Sequence, residues 1–184
     1  MNNERALILI DIQKGFDDVA YWGGHRNNPS AEQNASALLS HWREKKWPVF
    51  HVKHNSVTPG SRLAPGLQGN EFNELVRPIG SEPVIEKNVN SAFIGTDLKD
   101  RLDQAKIKSA VIAGLTTDHC VSTRARMAAN LGYETFVVSD ATATFDRVSS
   151  EGKRFSAEII HETALASLDG EFATIISTKD ISRL

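Results

Sequence analysis

Cysteine is almost missing from this chain, since its 184 residues contain only Cys120. A single cysteine excludes an intramolecular disulfide framework and an all-cysteine metal site, so a reducing, cytoplasmic compartment is expected. Long apolar runs are missing as well. The run near the N-terminus, residues 6–10, is too short for a membrane span or the core of a signal peptide. We therefore expect a cytoplasmic protein that has no membrane partner.

An excess of one charge and the glycine motifs that bind phosphate are also missing. The formal charge of −2 gives no reason to expect a nucleic-acid partner. No Gly-x-Gly-x-x-Gly follows the first apolar run and no Gly-Lys-Ser/Thr loop occurs, so no nucleotide cofactor is expected. With 40% apolar residues, the chain is most simply one globular domain, residues 1–184, with enough chain to bury a core.

Short β-rich runs alternate with helical patterns along the chain. One helix is predicted to begin at Ser30, which has capping-box spacing with Gln33, and another at Cys120, with Leu131 on its inner side. A helix is also predicted over residues 96–105, where the Thr96 hydroxyl can cap it, and a last helix over residues 150–168. The predicted strands are residues 6–10, 48–53, 83–86, 109–113, 135–139 and 172–176.

Strands that alternate with helices predict an α/β fold with a parallel sheet covered on both faces. Six strands in this pattern favour a doubly wound, Rossmann-like order, 3-2-1-4-5-6. In such a sheet the site lies beyond the carboxyl ends of the strands, where the order reverses between strands 1 and 4. Asp11 ends the first strand and Cys120 follows the fourth. The two residues are therefore predicted to face one another across one crevice.

Three residues at strand ends form a chemically coherent set. Taken singly, Asp11 could be a turn cap and Lys87 could be a solvated charge. Cys120 could equally be a buried structural thiol or a thiolate that is favoured by a helix N-terminus. Taken together, they supply a nucleophile, a carboxylate that can move its proton, and an ammonium group that favours both anions. The set predicts a thiol-based active site.

The chain resembles the isochorismatase-like cysteine hydrolases, a superfamily that includes nicotinamidase, carbamoylsarcosine amidohydrolase and ureidoacrylate hydrolase. The resemblance covers almost the whole chain. The motifs that carry it are Leu-Ile-Asp-Ile-Gln at residues 9–13 with Phe16, Lys87 with Ser-Ala-Phe at residues 91–93, and the stretches at residues 114–121, 139–144, 161–168 and 172–173.

The resemblance implies a role for each member of the set. Asp11 would be the general acid and base, Lys87 the supporting cation and Cys120 the nucleophile. It further implies a cis peptide bond between Leu115 and Thr116, which would aim the N–H groups of Thr116 and Cys120 at the developing oxyanion.

Some relatives that resemble nicotinamidase bind a metal ion through an Asp-x-His segment after the second strand. Here that stretch reads His-Val-Lys-His-Asn at residues 51–55, with no aspartate two positions before a histidine. Residues three apart in a strand point to opposite faces, so His51 and His54 would not converge. We therefore expect no metal.

Substrate contacts are predicted from Gln13, Phe16, Trp22 and Phe93. Trp22 would form an aromatic wall, and Arg26 or Asn27 in the same loop could add polar contacts to the substrate. Trp22 could equally pack against the body of the domain or a neighbouring subunit. The stretch at residues 55–83 is too long for an ordinary connector and is expected to be a lid or a subunit contact. Because members of the family commonly form dimers and tetramers, the resemblance also implies a homo-oligomer.

Three functions follow in order of preference. The first is a cysteine-dependent hydrolase of a small amide or ureido C–N bond through an acyl-thioester on Cys120. The second is an isochorismatase-type enol-ether hydrolase, for which the family does not need the thiol. The third is a non-catalytic thiol-based sensor or binding protein, which would not need Asp11 and Lys87.

Overall fold

The computed structural model describes residues 4–183, with six strands in one sheet and two in a hairpin. The strands of the sheet are β1 (Arg5–Ile10), β2 (Val49–His54), β3 (Val84–Lys87), β4 (Ser109–Leu115), β5 (Glu134–Ala143) and β8 (Thr174–Ile176). They are parallel throughout and stand in the order β3-β2-β1-β4-β5-β8. The hairpin pairs β6 (Arg147–Val148) with β7 (Arg154–Phe155). The predicted strand order is confirmed.

Helices cover both faces of the sheet. They are α1 (Val19–Trp22), α2 (Ala31–Lys45), α3 (Leu98–Gln104), α4 (Ser122–Asn130) and α5 (Ala157–Ala166). Short 3₁₀ turns lie at Lys14–Asp17, Gln68–Asn70, Glu74–Val76 and Thr178–Arg183. Within the described residues, no helix is long and apolar enough to cross a membrane.

The core consists of two layers, one on each face, because alternate residues of the buried strands point to opposite sides. On one face Leu7 and Leu9 of β1 pack with Leu38 and Trp42 of α2. On the other face Ala6, Ile8 and Ile10 of β1 pack with α3, α4 and α5, through residues that include Leu102, Ala125 and Leu165. The doubly wound arrangement is thus built on a central strand whose residues 6–10 are all buried.

Two predicted helix starts are wrong. Cys120 does not begin a helix, because it lies inside a π-helical turn, Thr117–Val121, that leads into α4. The last helix begins after Ser156, whose side chain accepts a hydrogen bond from the Ile159 N–H, rather than at residue 150. Residues 147–155 form the β6–β7 hairpin instead.

Two smaller expectations also fail, and one holds. Ser30 precedes α2, but its side chain makes no capping hydrogen bond there. Leu131 lies beyond the end of α4 and is 37% exposed, so it is not an inner residue. The Thr96 hydroxyl does accept a hydrogen bond from the Leu98 N–H at the start of α3.

The carboxyl ends of β1 and β4 approach each other closely. Gly114 pairs with Ile10 and has a φ of +131°, and a Cβ added at Gly114 would lie 2.1 Å from the Ile10 carbonyl oxygen. Only glycine fits a backbone position of this kind. The close approach sets the separation between Asp11, which follows β1, and the turn that carries Cys120.

Candidate active site

The structure brings Asp11, Lys87 and Cys120 together at the carboxyl end of the sheet. Asp11 follows β1, Lys87 ends β3, and Cys120 lies in the turn after β4. The Lys87 Nζ lies 2.6 Å from Asp11 Oδ2 and 3.4 Å from Cys120 Sγ. All three residues are buried. An ammonium group that contacts both a carboxylate and a thiol therefore lies at the centre of the site.

The same ammonium has a third partner, His54, at the end of β2. Lys87 Nζ lies 3.0 Å from His54 Nδ1. Burial, and then the positive charge of Lys87, lower the pKa of His54, so the imidazole is neutral and its Nδ1 can accept a hydrogen bond from the Lys87 ammonium group. We call Asp11, His54, Lys87 and Cys120 the Lys87 cluster.

Burial decides the resting state of the sulfur. Desolvation raises the pKa of Cys120 to about 12, the negative charge of Asp11 adds to this effect, and Lys87 opposes it. The thiol is a hydrogen-bond donor to Asn90 Oδ1 at 3.7 Å. Because the sulfur is deeply buried and precedes the α-helix, burial outweighs any effect of a helix N-terminus, and the resting sulfur is a thiol.

A cavity of about 130 Å³ opens above the Lys87 cluster. Of the predicted substrate contacts, Phe16 and Trp22 line it, and their ring centroids lie 4.7 Å apart. The Trp22 Nε1 donates to the Gly15 carbonyl oxygen at 2.7 Å. Trp22 therefore lines the cavity and also packs against the domain, so both roles that the sequence allowed for it occur together.

The structure does not place Gln13 or Phe93 on the cavity wall. The Gln13 amide is engaged by backbone, since Nε2 donates to the carbonyl oxygens of His54 and Asn70 and Oε1 accepts from the His54 N–H. Phe93 stacks on Tyr133, with ring centroids 6.2 Å apart. Both residues support the site from outside the cavity.

The side chains of Arg26 and Asn27 make hydrogen bonds within the protein and do not line the cavity. Arg26 Nη2 donates to Glu32 Oε2 at 2.7 Å, and Asn27 Oδ1 accepts from the Thr144 N–H at 2.7 Å.

Sequence reasoning missed several cavity residues. Those not predicted as substrate contacts are His54, Leu63, Asn90, His119 and Arg147. Arg147 is carried in by the β6–β7 hairpin and held by Asp118, whose oxygens accept from its Nε at 2.9 Å and its Nη2 at 3.2 Å. Two-residue strands have no periodicity, so nothing in the sequence indicates the hairpin.

The long segment at residues 55–83 packs over the site. Leu63 lines the cavity, and Asn70 Nδ2 donates to the carbonyl oxygens of both His54 and Leu63. One wall of the cavity is therefore supplied by this segment.

The peptide bond between Leu115 and Thr116 is cis, as the family resemblance implies. Thr116 also lines the cavity.

The positive charge at the centre of the Lys87 cluster is the lysine itself. Ligand atoms of Asp11, His54 and Cys120 all lie within 4.8 Å of one another, close enough to hold a metal ion. Lys87 Nζ contacts all three residues. His51 is directed elsewhere, with its Nε2 2.8 Å from Glu82 Oε2. The expectation that this chain uses no metal stays a prediction.

The fold and the Lys87 cluster define a class, doubly wound α/β proteins with a thiol, a carboxylate and an ammonium group at the carboxyl end of a parallel sheet. The Isochorismatase domain family model matches residues 5–180, and the chain belongs to the isochorismatase family of hydrolases.

Relatives agree with this assignment over nearly the full chain. The isochorismatase family protein YrdC of Bacillus subtilis (strain 168) is 45% identical, over 98% of this chain and 96% of its own. A solved isochorismatase-family structure from Chromobacterium violaceum ATCC 12472 superposes with a TM-score of 0.92 at 40% identity, covering 98% of this chain and 93% of that one. Nicotinamidase 3 of Arabidopsis thaliana is 28% identical, over 97% of this chain and 87% of its own.

Proposed function

We propose that this protein hydrolyses a small amide or ureido C–N bond through an acyl-thioester on Cys120. The observation that carries the proposal is the single ammonium group of Lys87, which contacts both the Asp11 carboxylate and the Cys120 sulfur below an open cavity. Similarity to a nicotinamidase, whose name denotes hydrolysis of an amide, supports the same chemistry.

The first half-reaction begins with a thiol. Because the pKa of Cys120 is raised to about 12, its proton has to leave as the sulfur attacks the carbonyl carbon. Asp11 is the base in this proposal, and its Oδ1 has no hydrogen-bond partner among the described residues. Lys87 stabilises both the carboxylate and the sulfur. The oxyanion would accept hydrogen bonds from the N–H groups of Thr116 and Cys120.

Collapse of the tetrahedral intermediate breaks the C–N bond. Asp11, now protonated, passes its proton to the departing nitrogen, which leaves as an amine or ammonia. The acyl group remains on the sulfur as a thioester. In the second half-reaction Asp11 removes a proton from water, the water oxygen attacks the thioester carbonyl, and the acid is released as the thiol regains its proton.

The cavity limits the size of the substrate. A volume of about 130 Å³ suits a molecule of benzene-like size. The Phe16 and Trp22 rings and Leu63 supply apolar wall, while Asn90, His119 and Arg147 supply polar groups. A small, flat compound with one amide or ureido group fits this lining.

The test is the intact mass of the protein after brief exposure to pooled small amides, ureides and imides, quenched in acid. We expect the wild type to gain the mass of an acyl group, and Cys120→Ala to gain none while keeping its circular dichroism spectrum. Cys120→Ala should also lose turnover of the same pool by at least about 10³-fold, because it removes the nucleophile.

Two results would contradict the proposal. Undiminished turnover by Cys120→Ala would mean chemistry that does not need the thiol, as in enol-ether hydrolysis. Peroxide-sensitive modification of Cys120, with neither an acyl adduct nor turnover from any pool, would favour the sensor function. Ser122→Ala is a matched control, since Ser122 lies two residues away at the start of α4 and outside the cavity lining.

A further inference from the structure

His54 is a cavity residue that the proposed mechanism does not use. It ends β2, which stands between β1, the strand before Asp11, and β3, the strand that ends at Lys87. A ring nitrogen of the half-buried His54 lies within 4.8 Å of the Cys120 sulfur, and the residue lines the cavity above that sulfur. His54 is therefore close to the place where a bound carbonyl group would be attacked.

The contact with Lys87 fixes which ring nitrogen of His54 carries the proton. Nδ1 of His54 lies 3.0 Å from Lys87 Nζ. An ammonium group donates hydrogen bonds and cannot accept one, so Nδ1 must be the acceptor and carries no proton. Burial and the positive charge of Lys87 also lower the pKa of His54, which keeps the ring neutral. In a neutral imidazole the remaining proton is then on Nε2.

The Nε2–H group of His54 has no partner in the protein. None of the described residues forms a hydrogen bond with Nε2, and the atom is not enclosed by protein. It is therefore open to the cavity that His54 lines. Two other polar groups of the cavity wall are already engaged, since Arg147 is held by Asp118 and the Asn90 Oδ1 accepts from the Cys120 thiol. Nε2–H is a donor that remains available to a bound molecule.

We propose that His54 is a specificity-determining residue, whose Nε2–H group donates a hydrogen bond to a second acceptor of the substrate. This acceptor is an atom other than the carbonyl oxygen of the bond that is broken, such as a further carbonyl or carboxylate oxygen or a ring nitrogen. The role deepens the proposed function and rests on the cavity being the substrate site. A substrate with a hydrocarbon group at this point would cover the N–H without pairing it, which is how a polar site rejects an apolar analogue.

The first test is the binding of matched amides to Cys120→Ala, which cannot form an acyl-enzyme, measured by calorimetry. The members of each pair have similar shapes and differ in the second acceptor: pyridinecarboxamides are compared with benzamide, and malonamide with isovaleramide. We expect at least one acceptor-bearing amide to bind at least about tenfold more tightly than its hydrocarbon partner.

A second substitution in Cys120→Ala assigns that preference to His54. In His54→Asn the amide oxygen can still accept from Lys87, but the shorter side chain does not reach the position of Nε2, so the preference should disappear. His41→Asn is the matched control, because His41 lies on α2 and outside the cavity lining, and it should keep the preference.

The second test leaves His54 in place. Long-range proton–nitrogen NMR of Cys120→Ala, with the ring assigned from the backbone resonances, shows which nitrogen is protonated near neutral pH. We expect an unprotonated Nδ1 and a protonated Nε2. The Nε2 signal should move when the tighter-binding, acceptor-bearing amide is added, and it should move less when the hydrocarbon partner is added.

Three results would overturn the proposal: a proton on Nδ1, an acceptor preference that survives His54→Asn, or no acceptor-bearing amide that binds more tightly than its partner. Should the His54→Asn protein not fold, the response of the Nε2 signal decides alone. Binding and protonation are measured without the thiol, whereas acyl adducts need it. Failure of the amide-hydrolase proposal therefore shows as missing acyl adducts on the wild type, and failure of the His54 proposal as one of these three results.

Discussion

At the scale of the residue, Lys87 holds the site together. Its ammonium group contacts Asp11, His54 and Cys120, which come from the ends of β1 and β2 and from the turn after β4. Three donor protons on one nitrogen match three acceptors. Lys87 is therefore a buried, fixed charge and not a solvated one on the surface. Removing it would leave the Asp11 carboxylate buried without its counter-ion.

Lys87→Met should therefore be costly to stability as well as to activity. Breaking a buried ion pair by removing one partner typically costs about 3–5 kcal/mol, so we expect a loss of that order in the free energy of unfolding in urea. Lys14→Met is the matched control, because Lys14 pairs with Glu71 and Glu74 at the surface, where ion pairs contribute about 0–1 kcal/mol. Equal stabilities for the two variants would show that the Asp11–Lys87 pair is not a structural element of the fold.

The residues of the candidate site were only partly accessible from the sequence. Asp11, Lys87 and Cys120 could be found because each follows a recognisable strand, and parallel strands end at the same edge. His54 also ends a strand, but the sequence suggested only a possible metal ligand at this position. Nothing in the sequence indicated that His54 contacts Lys87. Arg147 could not be found, since its place depends on a hairpin that is formed by tertiary packing.

At the scale of the element, the junction of β1 and β4 is the most constrained point of the sheet. Gly114 combines a φ of +131° with an approach that would place a Cβ 2.1 Å from backbone of β1. Neither the conformation nor the space admits a side chain, so the two strands can meet at this distance only with glycine.

Gly114→Ala should destabilise the fold by at least about 3 kcal/mol, because overpacking against backbone adds to the cost of the positive φ. Gly132→Ala is the control. Gly132 has a φ of +90° but nothing within 4 Å of the added Cβ, so about 1 kcal/mol is expected from conformation alone. Urea unfolding of both variants gives the comparison. A Gly114→Ala protein no less stable than Gly132→Ala would show that the strands can separate without cost.

Element types were more predictable than element ends. The six strands of the sheet fall on the six β-rich runs of the sequence, and their order is the one that the alternation of strands with helices favours. The start of α5 was placed too early because residues 150–155 carry no signal that separates a hairpin from a first helical turn. The π-helical turn around Cys120 was missed for a similar reason, since its residues are compatible with an ordinary helix start.

At the scale of the whole molecule, buried histidines link stability to pH. Burial lowers the pKa of His51, His54 and His161. Each is neutral in the folded protein, whereas in the unfolded chain each binds a proton near pH 6.5. The unfolded state therefore takes up more protons as the pH falls through this range, and stability is lost on acidification. His25 opposes the trend, because its hydrogen bond with Glu158 raises its pKa.

The free energy of unfolding should accordingly fall between pH 7.5 and pH 5.5, with a slope of up to about 1.4 kcal/mol per pH unit for each buried histidine. Urea unfolding across that range measures the slope. His51→Gln should make it shallower, and His25→Gln, at an exposed position, should not. A flat profile for the wild type would mean that the buried histidines protonate without loss of the fold.

The one cysteine makes the unmodified chain a probe of its own unfolding. In the folded protein Cys120 is buried with its pKa raised to about 12, whereas a cysteine in an unfolded chain ionises near pH 8.5. Cys120 lines the cavity, so a small disulfide reagent can reach it in the folded protein, but at pH 8 the raised pKa keeps the reactive thiolate scarce and the reaction slow. Because a chain with one cysteine gains one label at most, an increase in the labelling rate with added urea reports unfolding by mass alone.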